Sequence, residues 1–457
     1  MDEFNFIRWI EDKWHSDFMP CILFVLAVVV CFFIKNQLPE IHVPLMYWFI
    51  ASFLLGVVFV GFWLFQHRVV KVPKGYIGLA IAITPEDGDS RSKNVRDFVV
   101  SLREQLENVK FKEDSFFVLE LPKYHAIKIT DYDTANKYRI KSKSHFLVYG
   151  YSKIRTFKNK PCHAIKLDGL VCHAPITDEN RQTFSQEMSN VLPLKLRVSC
   201  ENDLSEFESA SVCYSESAKY VIATAAILSN DFNLALELMK QLESSIKSLD
   251  KHRKTSPSVA TLISKIPQRL TNVYWLLAQQ EYFLWRQNRG ESHINLAKEY
   301  IEIFNKRVPN TLDYALLNSI WLFVVKKDSA GALKELKKCS TKHFQSPKWR
   351  YSVAFIHTLN GDLVNAEKNY EAAFLLDGSY ETGFEIEEFI DWALTEHPDK
   401  YQLRYSMGLI NLHLKKDNEL AVIEFNKFIE SDTPNLFPEA KQKAVEYIQR
   451  IRAGVVI

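Results

Sequence analysis

Two Cys-His dipeptides are the residues of this sequence that most suggest metal chemistry. Cys162-His163 and Cys172-His173 carry thiol and imidazole groups, the ligands that zinc prefers in structural sites. Between them, Asp168-Gly169 is typical of a two-residue β-hairpin turn, so we expect the dipeptides on the two arms of a hairpin. Since successive strand side chains point to opposite faces, each face would receive one Cys and one His. Two ligands do not complete a tetrahedral site, and the pattern predicts ordinary thiols and hydrogen-bonded imidazoles without a metal or another cofactor.

The loop Thr84–Asn94 (TPEDGDSRSKN) is the second candidate for chemistry, because it joins a predicted strand to a predicted helix. Ligands of open α/β sheets bind at that edge, and a helix N-terminus favours anions. The weak ligand candidates are Asp87, Asp89, Ser90, Arg91, Ser92 and Lys93. The acidic residues of the loop oppose an anion, and the loop contains no GxGxxG or phosphate-loop pattern. Two interpretations stay open: a solvated loop with Ser92 as helix cap, or contact with a nucleotide or other ligand.

A run of lysines and several tryptophans in the C-terminal half suggest a binding surface. The lysines are Lys326, Lys327, Lys334, Lys337, Lys338 and Lys342. Such a cluster is either a solvated helix face or a contact for an acidic partner or for nucleic acid phosphates. Most tryptophans at helical spacing are core residues, but some anchor protein interfaces. The candidates for partner binding are Lys334, Lys337, Lys338, Trp321 and Trp349.

Composition excludes several classes of function. The chain of 457 residues has 57 Lys+Arg and 55 Asp+Glu, a net charge of +2, which makes nucleic acid an unlikely partner. Its seven cysteines are an odd number without clustering, which indicates free thiols in a reducing compartment. No nucleophile elbow, HExxH or phosphate loop occurs, so we predict no enzymatic activity and no catalytic residues.

The first 74 residues are predicted to form a transmembrane hairpin. Val43–Phe65 contains no charged residue and is long enough to cross a bilayer, whereas Met19–Ile34 is at the lower length limit. We expect helices over about 18–34 and 43–65. Basic residues flank the outer ends of this hairpin, and only Lys35 lies in the connecting loop, which favours cytoplasmic termini. The predicted location is the plasma membrane or the bacterial inner membrane, with both termini cytoplasmic.

Residues 75–200 are predicted to form a small mixed α/β domain. The pattern is strand (77–83), helix (93–109), strand (116–121), helix (131–141) and strand (145–154), with a bulge at Gly150, and the 162–175 hairpin, a helix (179–190) and a strand (194–199) follow. The blocks IGLAIAI, VRDFVVSLREQL and TANKYRIKSKSHFLVYGYSKI, in this order, resemble the N-terminal α/β domain of the Tol-system translocation protein. A similar domain precedes tetratricopeptide arrays in some bacterial cyclase-related regulators. The resemblance implies an assembly or sensing module without catalysis.

Residues 203–457 are predicted to be helical throughout, ending in a capping helix over 436–452. Ala366, Tyr370 and Ala373 have the spacing of the packing residues in a tetratricopeptide repeat, and Ala297, Ala332 and Ala366 lie 35 and 34 residues apart. This part resembles a tetratricopeptide repeat array with irregular steps, which leave room for additional helices near 258–266 and 380–395. The predicted fold class is therefore a membrane α-hairpin, a small mixed α/β domain and an all-α tetratricopeptide-like solenoid.

These features together predict a membrane-anchored scaffold or sensor that binds a protein partner through its cytosolic domains. The alternative is a ligand- or nucleotide-gated membrane effector, whose hairpins oligomerise and perturb the bilayer. Homo-oligomerisation stays open under both hypotheses.

Overall fold

The computed structural model describes residue 14 and residues 16–37, 44–85, 98–105, 115–157, 160–175, 177–192, 195–199, 203–252 and 257–454. The contacts between residues divide the chain into two compact units, Met1–Leu270 and Thr271–Ile457. The predicted division into three parts, at residues 74 and 203, stays a prediction.

Two apolar helices begin the first unit, α1 (Met19–Gln37) and α2 (Leu45–Gln66). They run antiparallel, because the ring of Phe24 contacts Phe53 and that of Phe32 contacts Phe49. Both are long and apolar enough to cross a membrane, and both extend slightly beyond the predicted C-terminal limits.

A narrow stripe of small and apolar residues joins these helices. In α1, every fourth residue from Met19 to Cys31 is buried, which defines one helix face. A Cβ added at Gly56 of α2 would lie 2.5 Å from the ring of Phe24, so glycine permits this close approach. Only 22% and 17% of the two apolar windows are buried, and large side chains such as Phe18 and Phe65 are exposed. The helices therefore present an apolar outer surface.

A five-stranded mixed sheet follows in the first unit, with strand order β2-β1-β3-β4-β5. The strands are β1 (Tyr76–Pro85), β2 (Ser115–Glu120), β3 (Phe146–Phe157), β4 (Lys160–Val171) and β5 (Lys195–Ser199). Strand β1 is parallel to β2 and β3, whereas β4 is antiparallel to β3 and β5. The apolar run in β1 is buried from Leu79 to Ala82, as expected for a strand that is covered on both faces.

Helices connect and cover these strands close to the predicted positions. Residues 98–105 are helical, and the other helices are α3 (Lys123–Ala126), α4 (Tyr132–Ser142) and α5 (Asp178–Val191). Asp131 caps α4 by accepting a hydrogen bond of 2.9 Å from the Thr134 N–H. Within the described residues the predicted strands and long helices occur in the predicted order, except that a single strand, β4, takes the place of the predicted 162–175 hairpin. The short helix α3 was not predicted.

The predicted hairpin turn at Asp168-Gly169 is wrong. Strand β4 continues through this dipeptide, where Asp168 pairs with Tyr149 and Gly169 with Val148 of β3. Pairing with β3 holds β4 extended at these two residues, so the strand ladder outweighs the local turn signal. Glycine at 169 serves packing instead, because a Cβ there would lie 3.0 Å from the ring of Phe146.

The predicted bulge at Gly150 is also wrong. Gly150 pairs with Ile83 on one side and with Leu167 on the other, and the register continues without an extra residue. A Cβ at this position would lie 1.9 Å from the backbone oxygen of Lys166, so the close approach of two backbones explains the glycine.

Helices make up the described chain from Asp203 to Arg452. They are α6 (Asp203–Leu228), α7 (Phe232–Leu249), α8 (Pro257–Asn288), α9 (Glu291–Arg307), α10 (Leu312–Val324), α11 (Ser329–Lys338), α12 (Ser340–His343), α13 (Pro347–Leu359), α14 (Leu363–Phe374), α15 (Ser379–Glu396), α16 (Leu403–Leu409), α17 (Asn418–Ser431) and α18 (Pro438–Arg452). A short 3₁₀ turn follows α7, and a π-helical stretch, Ile410–Lys415, continues α16.

The alanines predicted to pack between helices are all buried, each with at most 1% of its surface exposed. They are Ala235, Ala297, Ala332, Ala366 and Ala421. Small side chains at these positions allow close helix contact. The helices are thus confirmed, whereas their assignment to the tetratricopeptide family stays a prediction.

Candidate functional site

An open groove with a volume of about 310 Å³ lies in the second unit. Four helices line it: α8, α10, α13 and α15, which are separated in sequence by α9, α11 with α12, and α14. The lining helices therefore alternate along the chain with helices that do not line the groove. Three of the four contribute residues at positions i, i+3, i+4 and i+7, which form one helix face.

Ten of the eighteen lining residues are aliphatic or aromatic, and eight are polar or charged. The lining consists of Gln279, Tyr282, Phe283 and Arg286 of α8; Asp313, Leu316, Leu317, Ser319, Ile320 and Phe323 of α10; Lys348, Ser352, Phe355 and Ile356 of α13; and Thr382, Glu385, Ile386 and Phe389 of α15.

Three phenylalanines form the floor of the groove. The ring of Phe355 lies 4.9 Å from that of Phe389 and 5.5 Å from that of Phe323, both edge-on. All three side chains are less than 10% exposed, whereas Phe283 on the wall is 56% exposed. Edge-to-face rings form a rigid apolar floor. The groove thus combines a fixed base with an exposed aromatic side chain.

Charged side chains surround this apolar surface. Arg286 forms an ion pair with Glu388, and burial alone would lower its pKa, but the hydrogen bond to Glu388 raises the pKa overall. Burial also raises the pKa of Tyr282 to about 12, so this hydroxyl stays protonated. Lys348 and Asp313 are exposed at the rim, with no ion pair to other described residues. The rim therefore offers one cation and one anion to a bound molecule.

The five predicted partner-binding residues lie elsewhere. Trp349 is buried, and its Nε1–H donates to the backbone oxygen of Leu336 at 2.9 Å, which makes it a packing residue. Trp321 is half-buried and donates to Asn295 Oδ1 at 2.8 Å. The lysines Lys334, Lys337 and Lys338 are exposed on α11, where Lys338 pairs with Glu335 at 2.6 Å. None of these five residues lines the groove, which is formed by phenylalanines and aliphatic residues instead.

The other candidates for chemistry do not form a described site. The loop residues Asp87, Asp89, Ser90, Arg91, Ser92 and Lys93 all lie outside the described residues. Cys172 is exposed, and the backbone of Cys162 pairs with Arg155 of β3 and Ser199 of β5. Within the part of the chain that the structure describes, no group of three or more His, Cys, Asp or Glu residues is placed to hold a metal ion.

Comparison with known proteins found no matching family model, no matching curated protein and no matching solved structure. The resemblances to the Tol-system domain and to tetratricopeptide repeats thus stay predictions. Any functional argument depends on the geometry of this chain.

Proposed function

We propose that the protein is a membrane-anchored scaffold, which holds a segment of a protein partner in the apolar groove of its second unit. The observation that carries this proposal is the convergence of four helix faces on a groove that is open, apolar and lined by the exposed ring of Phe283. Binding energy at protein interfaces is concentrated in aromatic residues that lose their contact with water. At 56% exposure, Phe283 is the apolar residue of the groove lining with most surface to lose.

The charges at the rim define the kind of partner. An apolar segment of an amphipathic helix would fill the groove, and such helices bind through side chains spaced as i, i+3, i+4 and i+7. An acidic residue of this segment would face Lys348, and a basic one would face Asp313. The partner is therefore an amphipathic helix with charges of both signs.

The anchor is the pair of apolar helices, α1 and α2. Their large outer surface is apolar, and a buried position inside a soluble protein would cover more than the 22% and 17% that is buried here. Arg68, Lys71 and Lys74 follow α2, which favours a cytosolic position for the chain that comes after it. In this arrangement the groove is cytosolic.

A pair of matched substitutions tests the groove. Phe283→Asp places a charge on the groove wall, whereas Leu375→Asp changes a side chain that is 88% exposed and outside the groove. Full-length protein is extracted with detergent, and co-purifying proteins are identified by mass spectrometry for the wild type and both variants. We expect one partner to be lost with Phe283→Asp and retained with Leu375→Asp. Lys348→Glu should weaken binding of this partner. A partner variant that carries Lys in place of the acidic residue facing Lys348 should bind Lys348→Glu again.

Equal recovery of every co-purifying protein by both variants would overturn the groove as the binding site. Replacement of residues 19–66 by an unrelated two-helix hairpin distinguishes the scaffold from the membrane effector. A scaffold retains its partner and its cellular function after this exchange, and loss of function with the partner still bound would contradict the scaffold.

A further inference from the structure

A second cavity, of about 520 Å³, lies within the first unit and has no role in the scaffold proposal. Its wall comes from four places: the segment 72–77 that leads from α2 into β1, the end of α4, the end of β4, and helices α6 and α7 with their connection. The volume is in the range of small-molecule sites. The lining residues used below are Lys74, Lys143, His145, Cys172, Ser229 and Asp231.

Positive charge lines part of this cavity. Lys74 and Lys143 are both exposed and both line it, and among the described residues Asp231 is the only acidic one in the lining. The Asp231 carboxylate already accepts a hydrogen bond of 3.2 Å from the Leu234 N–H, as the N-cap of α7. Two lysines against one engaged carboxylate favour an anionic ligand.

Hydrogen-bond donors accompany these lysines. Ser229 Oγ accepts a bond of 3.0 Å from the Ala174 N–H, so its own hydrogen is directed elsewhere. Ammonium and hydroxyl donors in one cavity suit a group with several acceptor oxygens, as a phosphoryl group has. His145 Nδ1 accepts a bond of 3.0 Å from the Gly78 N–H, which fixes this ring beside β1.

Another part of the lining is apolar. It is formed by Ile222, Ala225 and Ala226 of α6, Leu234 of α7 and Val171 at the end of β4. Such a surface would gain from burying the apolar part of a ligand. The lining therefore combines cations and donors with aliphatic side chains.

We propose that this cavity binds a small phosphomonoester with an apolar body, its phosphoryl group at Lys74 and Lys143 and its body against α6. This inference is independent of the partner groove. The cavity also includes Val72, whose N–H donates to the Ser142 oxygen at 2.8 Å and thereby fixes the segment that follows α2. A bound phosphomonoester would contact the chain that links the apolar helices to the sheet.

The exposed thiol of Cys172 provides a native reporter, because it lines the cavity. Full-length protein in detergent is labelled with N-ethylmaleimide, and the rate at Cys172 is followed by peptide mass spectrometry. Two probes are compared at equal ionic strength: AMP for a nucleotide source, and hexyl phosphate for a lipid-derived source. We expect one of them to slow the labelling at least about fivefold in a saturable manner, while sodium chloride at the same ionic strength does not.

Charge-neutral variants test the assigned phosphoryl position. Lys74→Gln and Lys143→Asn should abolish the protection, and asparagine suits position 143 because its backbone is left-handed, with φ of 56°. The matched control is Lys137→Gln, which alters an exposed lysine of α4 outside the cavity. Protection by AMP alone identifies a nucleotide-like ligand, and protection by hexyl phosphate alone a lipid-derived one. Absence of protection by both probes, protection that persists in the two lysine variants, or equal protection by chloride would each overturn the proposal.

Discussion

Removal of one partner from the ion pair between Glu187 and Arg269 gives the sharpest test of packing in the first unit. Arg269 Nε donates to Glu187 Oε1 at 3.1 Å, and its second nitrogen donates to Oε2, so the contact is bidentate. The Tyr220 hydroxyl donates to the same carboxylate. The Glu187 side chain is only 10% exposed, and Arg269 is 28% exposed. The pair thus connects α5, α6 and α8 at a site with little water.

The expected magnitude follows from this burial. Arg269→Met leaves the Glu187 carboxylate with the Tyr220 hydroxyl as its remaining partner, and removing one member of a buried pair costs about 3–5 kcal/mol. Since Arg269 is partly exposed, we expect about 2–3 kcal/mol, which corresponds to a decrease in Tm of roughly 5–10 °C for a unit of this size. The double variant with Glu187→Gln should be more stable than Arg269→Met by about 1 kcal/mol, because it no longer buries an unpaired charge.

The pH dependence of this pair has a definite sign. Burial would raise the pKa of Glu187, but the hydrogen bonds from Arg269 and Tyr220 outweigh it and lower this pKa below its usual value. A carboxyl group with a lowered folded-state pKa stabilises the protein above its unfolded pKa, and that contribution is lost as the pH falls through the folded pKa. As the pH is lowered from 5 through the folded-state pKa of Glu187, the wild type should therefore lose more stability than Glu187→Gln.

Thermal melting of the full-length protein in detergent, followed by circular dichroism at several pH values, measures these differences. A decrease in Tm below 2 °C for Arg269→Met at pH 7 would refute the reasoning. The reasoning would also be refuted if the loss of stability in the double variant equalled the sum of the losses in the two single variants. In that case the two side chains would act independently.

Three other predictions concern packing and topology. Ala366→Leu should destabilise the second unit by about 1–3 kcal/mol through overpacking of a buried position. Its control, Lys338→Glu on the exposed face of α11, should change stability by about 0.5 kcal/mol or less, and equal melting temperatures of the two variants would contradict the assigned packing position. Gly56→Leu should lower the Tm in detergent because its Cβ meets the Phe24 ring, and Gly61→Leu, where a Cβ meets nothing within 4 Å, is the matched control that should melt like the wild type. Reporter fusions at the C-terminus and directly after α2 should both be active in the cytoplasm, and activity on the opposite side of the membrane would exclude the predicted hairpin topology.

The order of secondary structure was largely predictable because apolar runs and helix periods are local signals. The strand predicted over 77–83 is Tyr76–Pro85, and the helix predicted over 131–141 is Tyr132–Ser142 with Asp131 as its cap. The error at Asp168-Gly169 has the opposite origin. A dipeptide that favours a turn in isolation remains extended here because both of its residues pair with β3, in the middle of a long antiparallel ladder.

The groove was not predictable from residue types in the same way. Tryptophans and lysines suggested a partner surface, but the Trp349 indole is used for packing between helices, and its N–H is bonded within the chain. The groove depends on which helix faces meet, and this is a property of the tertiary structure. The spacing of Phe283 with its α8 neighbours, and of Ile320 and Ile386 in their helices, was the available signal. It indicates an apolar face without revealing that the face stays uncovered.

The junction between the apolar helices and the sheet is held by side-chain contacts at both outer ends of the helix pair. Asp17, just before α1, accepts hydrogen bonds from Tyr124 and Lys128, and these bonds lower the pKa of its carboxyl group. At the other end of the hairpin, His125 contacts the backbone oxygen of His67, directly after α2.

Residues in and directly after α3 thus contact both outer ends of the hairpin, and these contacts restrict its movement relative to the sheet. The chain after α2 is fixed a second time at Val72, which lines the phosphomonoester cavity. A ligand there acts on a segment that is held at His67 and Val72, five residues apart, and any displacement of Val72 is passed to the end of α2 because so short a segment has little slack. The phosphomonoester that we propose for this cavity would therefore contact a segment whose two ends are both fixed, and its binding would be coupled to the position of α2.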